Sequence, residues 1–380
     1  MRRQVAWLRS SWTDTEPGVN GTFNRSCMPT IKEVAALAGV STATVSRVIN
    51  QNGYVTQAVQ DKVRQTMEAL NYQPSALARG LRRQKTQSIG VLVPKVSQPF
   101  FSLLGYAIEQ ALFKQGYRAF LCSAEENPEK ESAYLEMLLR QRVDGIILVP
   151  TGHSVANVER LLRTRVPVVL VDRDLPALPV DRVLSDNLQG GYGIGRHLLD
   201  LGHRRIAVVG AEPHSESMGR RLSGIRRALD EAGVELREEW VVIGSGEQFG
   251  LGLSTAQGVL RHRPSPTAIV ALTDGLAVGV LHGACRAGLQ LPDELSVTGF
   301  DDIPLAAYVS PELTTVAQPI TEMGERTVDR LLQLVQARWV RGDQNHDFEF
   351  EPQSALLPTR VVVRGSTAPP RASGSTMARP

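Results

Sequence analysis

Two groups of residues in this 380-residue chain combine side-chain types and spacings suited to recognition chemistry. The first lies between Ser41 and Asn50, where Ser41, Thr42, Thr44, Ser46 and Asn50 are small hydrogen-bonding residues and Arg47 is a cation. Side chains of that kind reach phosphate oxygens, and an arginine fork can pair with a guanine edge. The second group is dispersed: Phe100 and Phe101, Asp172 and Arg173, Asp186 and Asn187, Arg221, Thr273 and Asp274, Asp301 and Asp302. Carboxylates accept paired hydroxyls, a guanidinium donates in a fork, and an aromatic face covers the apolar side of a sugar ring. The aspartates also suggest a glycosidase pair, which needs two carboxylates roughly 5 to 10 Å apart, but nothing selects such a pair over hydroxyl-binding acids.

The first group is positioned by two short helices. Ile31, Val34, Ala35 and Ala38 follow the i, i+3, i+4, i+7 spacing of a helix face, and Thr30 can cap that helix. Gly39 supplies a sharp turn. Beyond it Val45, Val48 and Ile49 share one face, while Thr42, Ala43, Ser46, Arg47 and Asn50 point elsewhere. This is a helix-turn-helix pattern, with Ser41 placed to cap the second helix and turn its positive end toward a phosphate. Two ordinary core helices would show the same apolar spacing, but not the small polar face of the second. A third helix is predicted from near Thr56, burying Val59, Val63, Met67 and Leu70. After Tyr72, Pro74 opens a short helix over residues 75–81.

TIKEVAALAGVS at Thr30, TVSRVIN at Thr44 and NYQPSALARGL at Asn71 resemble the DNA-binding headpiece and hinge of the lactose repressor and galactose repressor family. The resemblance implies that the helix beginning at Thr42 lies in the major groove. Thr42, Ala43 and Arg47 would then face base edges, and Ser41, Thr44, Ser46 and Asn50 would mainly touch phosphates. Thr30, at the start of the first helix, joins the expected DNA-binding set. Leu81 matches the hinge leucine that the family pushes into the minor groove to kink the central base step. A hinge helix this short is marginal in water, and Gly80 costs it roughly 1 kcal/mol relative to alanine. It is expected to order only on DNA, and to melt when a ligand spreads the dimer.

From Ser88 the pattern changes to short apolar strands, predicted over 89–93, 118–122, 145–149, 168–171, 206–209, 240–243, 268–272 and 296–299, alternating with helices such as 101–115 and 131–140. Such alternation argues for parallel sheets covered on both faces. Eight units are too many for one compact sheet, which divides them between two subdomains. The resemblance extends to about Arg364 and implies the fold of periplasmic sugar-binding proteins. Its subdomains would run from about 88 to 187 and from about 188 to 301, with a helix over 320–336 returning to the first. The expected fold class is an all-α helix-turn-helix headpiece plus an α/β periplasmic-binding-protein-like effector domain of two doubly wound subdomains.

Ligands of open α/β sheets bind beyond the carboxyl ends of the strands, so an effector is expected in the cleft between subdomains. The family correspondence carries effector contact onto Phe100, Asp172, Arg221, Thr273 and Asp301, and Phe101 joins them from its place after the first strand. Two departures bear on the effector. Thr273 stands where asparagine is frequent in the family, and Ser215 stands where the purine-binding branch has an arginine. A mono- or disaccharide is therefore favoured over a purine. Each site residue also has a structural alternative: Asp186 as cap of the helix starting at Leu188, Asp301 and Asp302 as caps of the following turn, and Arg173 as a surface cation; taken singly, Asp186, Arg173, Asp274 and Asp302 read better as structural residues.

Two glycine-rich runs resemble nucleotide loops. GSGEQFG at Gly244 has the spacing G-x-G-x-x-x-G and reads as turn glycines, and GGYGIG at Gly190 opens a helix and reads as close packing. Formal net charge is +3, yet residues 29–88 carry eight basic and three acidic residues, while Ile89 to the end comes to about −4. The basic part is the DNA module. Cys27, Cys122 and Cys285 have no metal-like spacing and read as reduced thiols of a cytoplasmic protein. No run approaches the roughly 18 apolar residues of a membrane helix, and no apolar run follows Trp7, Leu8 and Trp12 to make a secretory signal.

The expected division is residues 1–28 as a disordered arm or mis-assigned extension, with Met28 as the start, then 29–73 as DNA-binding domain, 74–87 as hinge and linker, 88–365 as effector and dimerisation domain, and 366–380 as a disordered tail without leucine heptads. Three functions compete: a ligand-controlled transcription factor, a transport receptor and a sugar-modifying enzyme. The receptor requires an export signal, and the enzyme leaves the headpiece as a targeting module. The first accounts for both halves: a homodimeric, non-enzymatic repressor without metal or cofactor, bound to a palindromic double-stranded operator and controlled by a sugar.

Overall fold

The structure is a computed structural model and describes residues 29–50, 52–72, 85–152, 154–262, 264–341 and 351–371. The chain divides into two compact units, residues 1–84 and 85–380.

In the first unit, α1 (Ile31–Ala38) begins in a capping box: the Thr30 hydroxyl accepts from the Glu33 amide, and the Glu33 carboxylate accepts from the Thr30 amide. Gly39 ends it at φ +64°, a left-handed conformation in which its N–H reaches the carbonyls of Ala35 and Ala36. Helix α2 (Thr42–Asn50) and α3 (Gln57–Ala69) complete the module. Val34, Ala35, Ala38, Val45, Val48 and Val63 form its buried centre, with Ile31, Val59, Met67, Leu70 and Tyr72 packed around it. Each helix is under four turns and contributes a single apolar stripe, so the three are stable only as a set.

The second unit carries two parallel sheets. One contains β1 (Ser88–Val93), β2 (Arg118–Ser123), β3 (Gly145–Leu148), β4 (Val168–Val171), β5 (Asp181–Ser185) and β11 (Ser354–Leu357), in the order β11-β5-β4-β3-β1-β2. The other contains β6 (Ile206–Ala211), β7 (Val241–Gly244), β8 (Ala268–Ala271) and β9 (Ser296–Thr298), in the order β7-β6-β8-β9. Helices α4 (Pro99–Lys114) and α11 (Ile320–Arg341) cover one face of the first sheet, where Ile89, Val91, Ile147 and Val169 meet Leu104, Ile108, Leu331 and Val335. Helices α5 (Pro128–Arg140) and α6 (Val155–Leu162) cover the other. On the second sheet the pairs α7 (Asn187–Asp200) with α8 (Glu216–Glu231), and α9 (Gln248–Val259) with α10 (Asp274–Arg286), take opposite faces. All eight predicted strands are present; the central ones, such as β1, β3, β4, β6 and β8, are buried on both faces and so read as continuous apolar runs, whereas β2 and β7 lie at sheet edges.

The chain passes between the sheets after β5, after β10 (Thr315–Ala317) and after β11, and β12 (Arg360–Val362) then pairs antiparallel with β10. The second subdomain thus includes β10 and β12 as well as the residues up to Asp301.

The tail expected to be disordered from residue 366 is a correction in its first part. Ser366 is fully buried; its hydroxyl donates to the Val297 carbonyl and accepts from the Thr314 amide at 2.8 Å. The Ala368 carbonyl accepts from Ser296 at 3.0 Å and lies 2.9 Å from His203 Nε2. Low apolar content hid this segment, because buried hydrogen bonds rather than apolar area hold it. The expected extension over 1–28 and the hinge with Leu81 lie outside the described residues.

Candidate functional site

The recognition face of the small unit is built by α2. Ser41 Oγ accepts from the Thr44 amide at 3.1 Å and lies 2.9 Å from the Thr44 hydroxyl, capping the helix. Thr42, Ala43 and Arg47 are exposed, whereas Val45 and Val48 are buried behind them. Thr44, Ser46 and Asn50 are partly buried, and Asn50 Nδ2 donates to the Ser46 carbonyl at 2.7 Å. Thr30 is exposed, with its side chain engaged in the cap of α1. The result is an exposed strip with the Ser41-capped N-terminus of the helix at one end and an arginine near the other.

In the large unit one cleft gathers Phe100, Phe101, Asp172, Arg221, Thr273 and Asp301, all six of the residues expected around a ligand. The first subdomain contributes the start of α4 and the residues after β4, and the second contributes those after β6, β8 and β9 with the first turns of α8 and α9. These are the carboxyl ends of the strands.

Local geometry is unusual there. Asp172, Glu212 and Asp301 directly follow β4, β6 and the β9 turn with φ of +68°, +55° and +117°, left-handed values that few non-glycine residues adopt. Phe100 and Phe101 meet edge to face with centroids 5.3 Å apart. Thr273 Oγ1 accepts from the Leu276 amide as the cap of α10 and donates to Gln248 Oε1 at 3.1 Å.

Arg221 organises the second-subdomain wall. Its Nε donates to Asn187 Oδ1 at 2.8 Å and its Nη1 to the Leu272 carbonyl at 2.6 Å, while the guanidinium lies 3.8 Å over the Phe300 ring. Asp301 accepts from Gln318 Nε2 at 2.7 Å and pairs with Arg221. Burial pushes the Asp301 carboxyl up to about 7, against the opposing pull of Arg221 and Gln318. Burial likewise raises Asp172, only partly offset by Arg221 and Arg173. Among the described residues Asp172 Oδ1 and Gln98 Nε2 are buried without hydrogen-bond partners. An acceptor and a donor left open on one cleft wall suit a ligand hydroxyl, which can serve both.

The lining also includes residues not singled out from sequence: Gln98, Glu212, Ser217, Met218, Gln248 and Ile303. Glu212 was findable, since it follows β6 as Asp172 follows β4. Arg173 corrects the expectation of a surface cation: it is 4% exposed, lines the cleft, and forms a bidentate pair with Glu126 at 2.7 and 3.0 Å. The other three residues set aside have structural partners. Asp186 caps α7 through the Gln189 amide at 2.9 Å, Asp302 pairs with Arg364 at 2.7 Å, and Asp274 accepts from the Ile303 amide and the Thr315 hydroxyl. Among the described residues no group of histidine, cysteine, aspartate or glutamate is arranged to hold a metal ion.

Comparison with known proteins agrees with both halves. Residues 30–75 match the model for bacterial regulatory proteins of the lacI family, and residues 86–362 match that for periplasmic binding proteins and the sugar binding domain of the LacI family. The HTH-type transcriptional regulator DegA of Bacillus subtilis is 36% identical over 90% of this chain and 98% of its own length. The HTH-type transcriptional repressor PurR of Photobacterium profundum is 36% identical over 87% of this chain and 98% of its own. The lac repressor dimer bound to operator and the anti-inducer ONPF superposes with a TM-score of 0.77 at 28% identity, covering 90% of this chain and 99% of that one. The chain therefore belongs to the lacI family of bacterial regulatory proteins, as a DNA-binding transcriptional regulator with a ligand-responsive effector domain.

Proposed function

We propose that this regulator is a cytoplasmic, homodimeric repressor that binds a palindromic operator and is controlled by a mono- or disaccharide in the cleft. The observation that carries the reading is the cleft itself: carboxylates, amides and two arginines converge with two phenyl rings on one cleft, in the same chain as a helix-turn-helix. Aspartate and glutamine pairs match vicinal hydroxyls, and a ring face matches the C–H side of a sugar. Thr42, Ala43 and Arg47 would read bases, with Thr30, Ser41, Thr44, Ser46 and Asn50 toward the backbone and Leu81 in the minor groove. Support for a dimer comes from the edge strand β2 and neighbouring α4, where Tyr106, Phe113, Phe120 and Leu121 are exposed together. Apolar surface on a sheet edge is ordinarily covered by a partner, and a two-fold dimer suits a palindrome. Nothing in the reading requires turnover of the sugar.

The experiment is recovery of genomic fragments by the purified protein, with and without a panel of mono- and disaccharides. Enrichment of palindromic sites whose occupancy one sugar changes is the expected result. No enrichment under any condition, or occupancy that responds to purines and to no sugar, rejects the reading.

A further inference from the structure

Three carboxyl groups line the cleft against two guanidiniums, and both guanidiniums are bonded within the protein. Asp172, Glu212 and Asp301 line it against Arg173 and Arg221. Both terminal nitrogens of Arg173 are held by Glu126, and one also reaches the Pro150 carbonyl. Arg221 is tied by Nε to Asn187 and by Nη1 to Leu272 and Asp301. Neither guanidinium offers the free two-pronged edge that carboxylate and phosphate recognition uses. Behind the wall Asp274, fully buried, acts on Asp301, and at the rim Glu216 acts on Asp172. Lys95 acts on Glu212, but Glu126 acts on it in the opposite sense and more strongly.

Asp172, Glu212, Asp274 and Asp301 are all raised, in each case first by burial, so the protein already holds these carboxylates at a disadvantage when charged. A second anion brought into that volume meets three buried or half-buried carboxyl groups and two guanidiniums whose paired nitrogens already serve acceptors of the protein. The open groups fit a different ligand. Asp172 Oδ1 is an unpartnered acceptor, and Gln98 Nε2 and Arg173 Nε are single, separate donors, among the described residues.

We infer that the cleft selects by charge: it accepts a polyhydroxylated ligand that is neutral or carries an amino group, and rejects the same skeleton bearing a carboxylate or a phosphate. This rests on the cleft being the sugar site. Glu212, on the wall and only half-buried, is the residue whose charge can be removed with least disturbance of the fold.

The test is calorimetric titration of the full chain with glucose, galactose, ribose and cellobiose, beside glucosamine, glucuronate, galacturonate, glucose 6-phosphate and ribose 5-phosphate. The expected result is that a neutral sugar binds and its acidic counterpart binds at least about tenfold more weakly, since like-charge juxtaposition is strongly unfavourable. Glu212→Gln should narrow that gap by about threefold or more. A uronate or sugar phosphate that binds as tightly as its neutral parent overturns the charge inference and leaves the sugar site standing. If no sugar of either kind binds while operator DNA is still retained, the sugar site itself is wrong and the inference falls with it.

Discussion

Arg221 Nη1 stands 3.2 Å from Asp301 Oδ1, and the two side chains are only 3% and 5% exposed. The pair joins α8 to the turn after β9 through the protein's own side chains, so this wall of the cleft is preorganised. Preorganised polar groups bind without the entropy loss of ordering flexible ones.

Replacing Arg221 by alanine should remove the effector response and leave operator binding in place. It should also destabilise the large unit by about 3–5 kcal/mol, the usual consequence of stranding one partner of a buried ion pair. Arg221→Lys restores the charge without the fork that reaches Asn187 and Leu272 together, so it should recover stability in part and response hardly at all. Urea unfolding and sugar-dependent operator release measure the two effects separately. A normal response in Arg221→Ala rules out the cleft as the control site.

Arg47 is exposed on α2 while Val45 and Val48 hold the helix down, so its side chain can change without unfolding the headpiece. Arg47→Ala should weaken specific operator binding by about 1–3 kcal/mol and relax preference at one base pair. Competition against operators randomised one position at a time checks it; uniform loss at every position would mean that Arg47 holds a phosphate instead.

How much of this was legible in the sequence depended on how local the cause was. The eight apolar strands and the headpiece helices follow from short-range periodicity, and Gly39 from its turn. GGYGIG, read as close packing, is that: a Cβ at Gly191 would lie 2.0 Å from the Arg221 carbonyl oxygen, and one at Gly224 2.0 Å from that of Leu188. Helices α7 and α8 therefore meet backbone to backbone, which sets where Arg221 stands. GSGEQFG likewise contains a turn glycine, Gly246 at φ +121°. By contrast β11 is four residues long with Ser354 and Leu356 exposed, and it exists because it pairs with β5 far earlier in the chain. Arg173 looks like any surface cation until Glu126, 47 residues away, is brought beside it. Such features have no local signal.

The packed segment after Arg364 gives a second test of long-range hydrogen bonding. Ending the chain at Gly365 removes the partners of the Thr314 and Val297 amides and one acceptor each from Ser296 and His203, which keep each other. Each buried polar group left unpaired costs about 1–3 kcal/mol, so the shortened protein should unfold at distinctly lower urea. Burial, the largest influence on His203, holds it below its ordinary value of 6.5. As pH falls below 6.5 the unfolded chain takes up that proton first, so His203 makes the intact protein lose stability on that side. His203→Gln should flatten the loss. Unchanged unfolding of the shortened chain would show that the segment contributes nothing.

Asp301 makes the opposite pH contribution. Its folded value of about 7 lies above the ordinary 3.8, so between those limits the folded state holds a proton that the unfolded state has lost. Stability from this group is therefore present on the acid side and declines as pH rises from about 4 to 7. A sugar hydroxyl donating to Asp301 favours the ionised carboxylate, so binding near pH 6 should expel a proton and tighten as pH rises toward 8. Titrating the effective sugar at pH 6 in two buffers of different ionisation enthalpy reads the proton directly, as a difference in apparent binding enthalpy. Asp301→Asn should abolish most of that difference while keeping a hydrogen-bonding group of similar shape. Equal enthalpies in both buffers for the unaltered protein would place the sugar's hydroxyls away from Asp301.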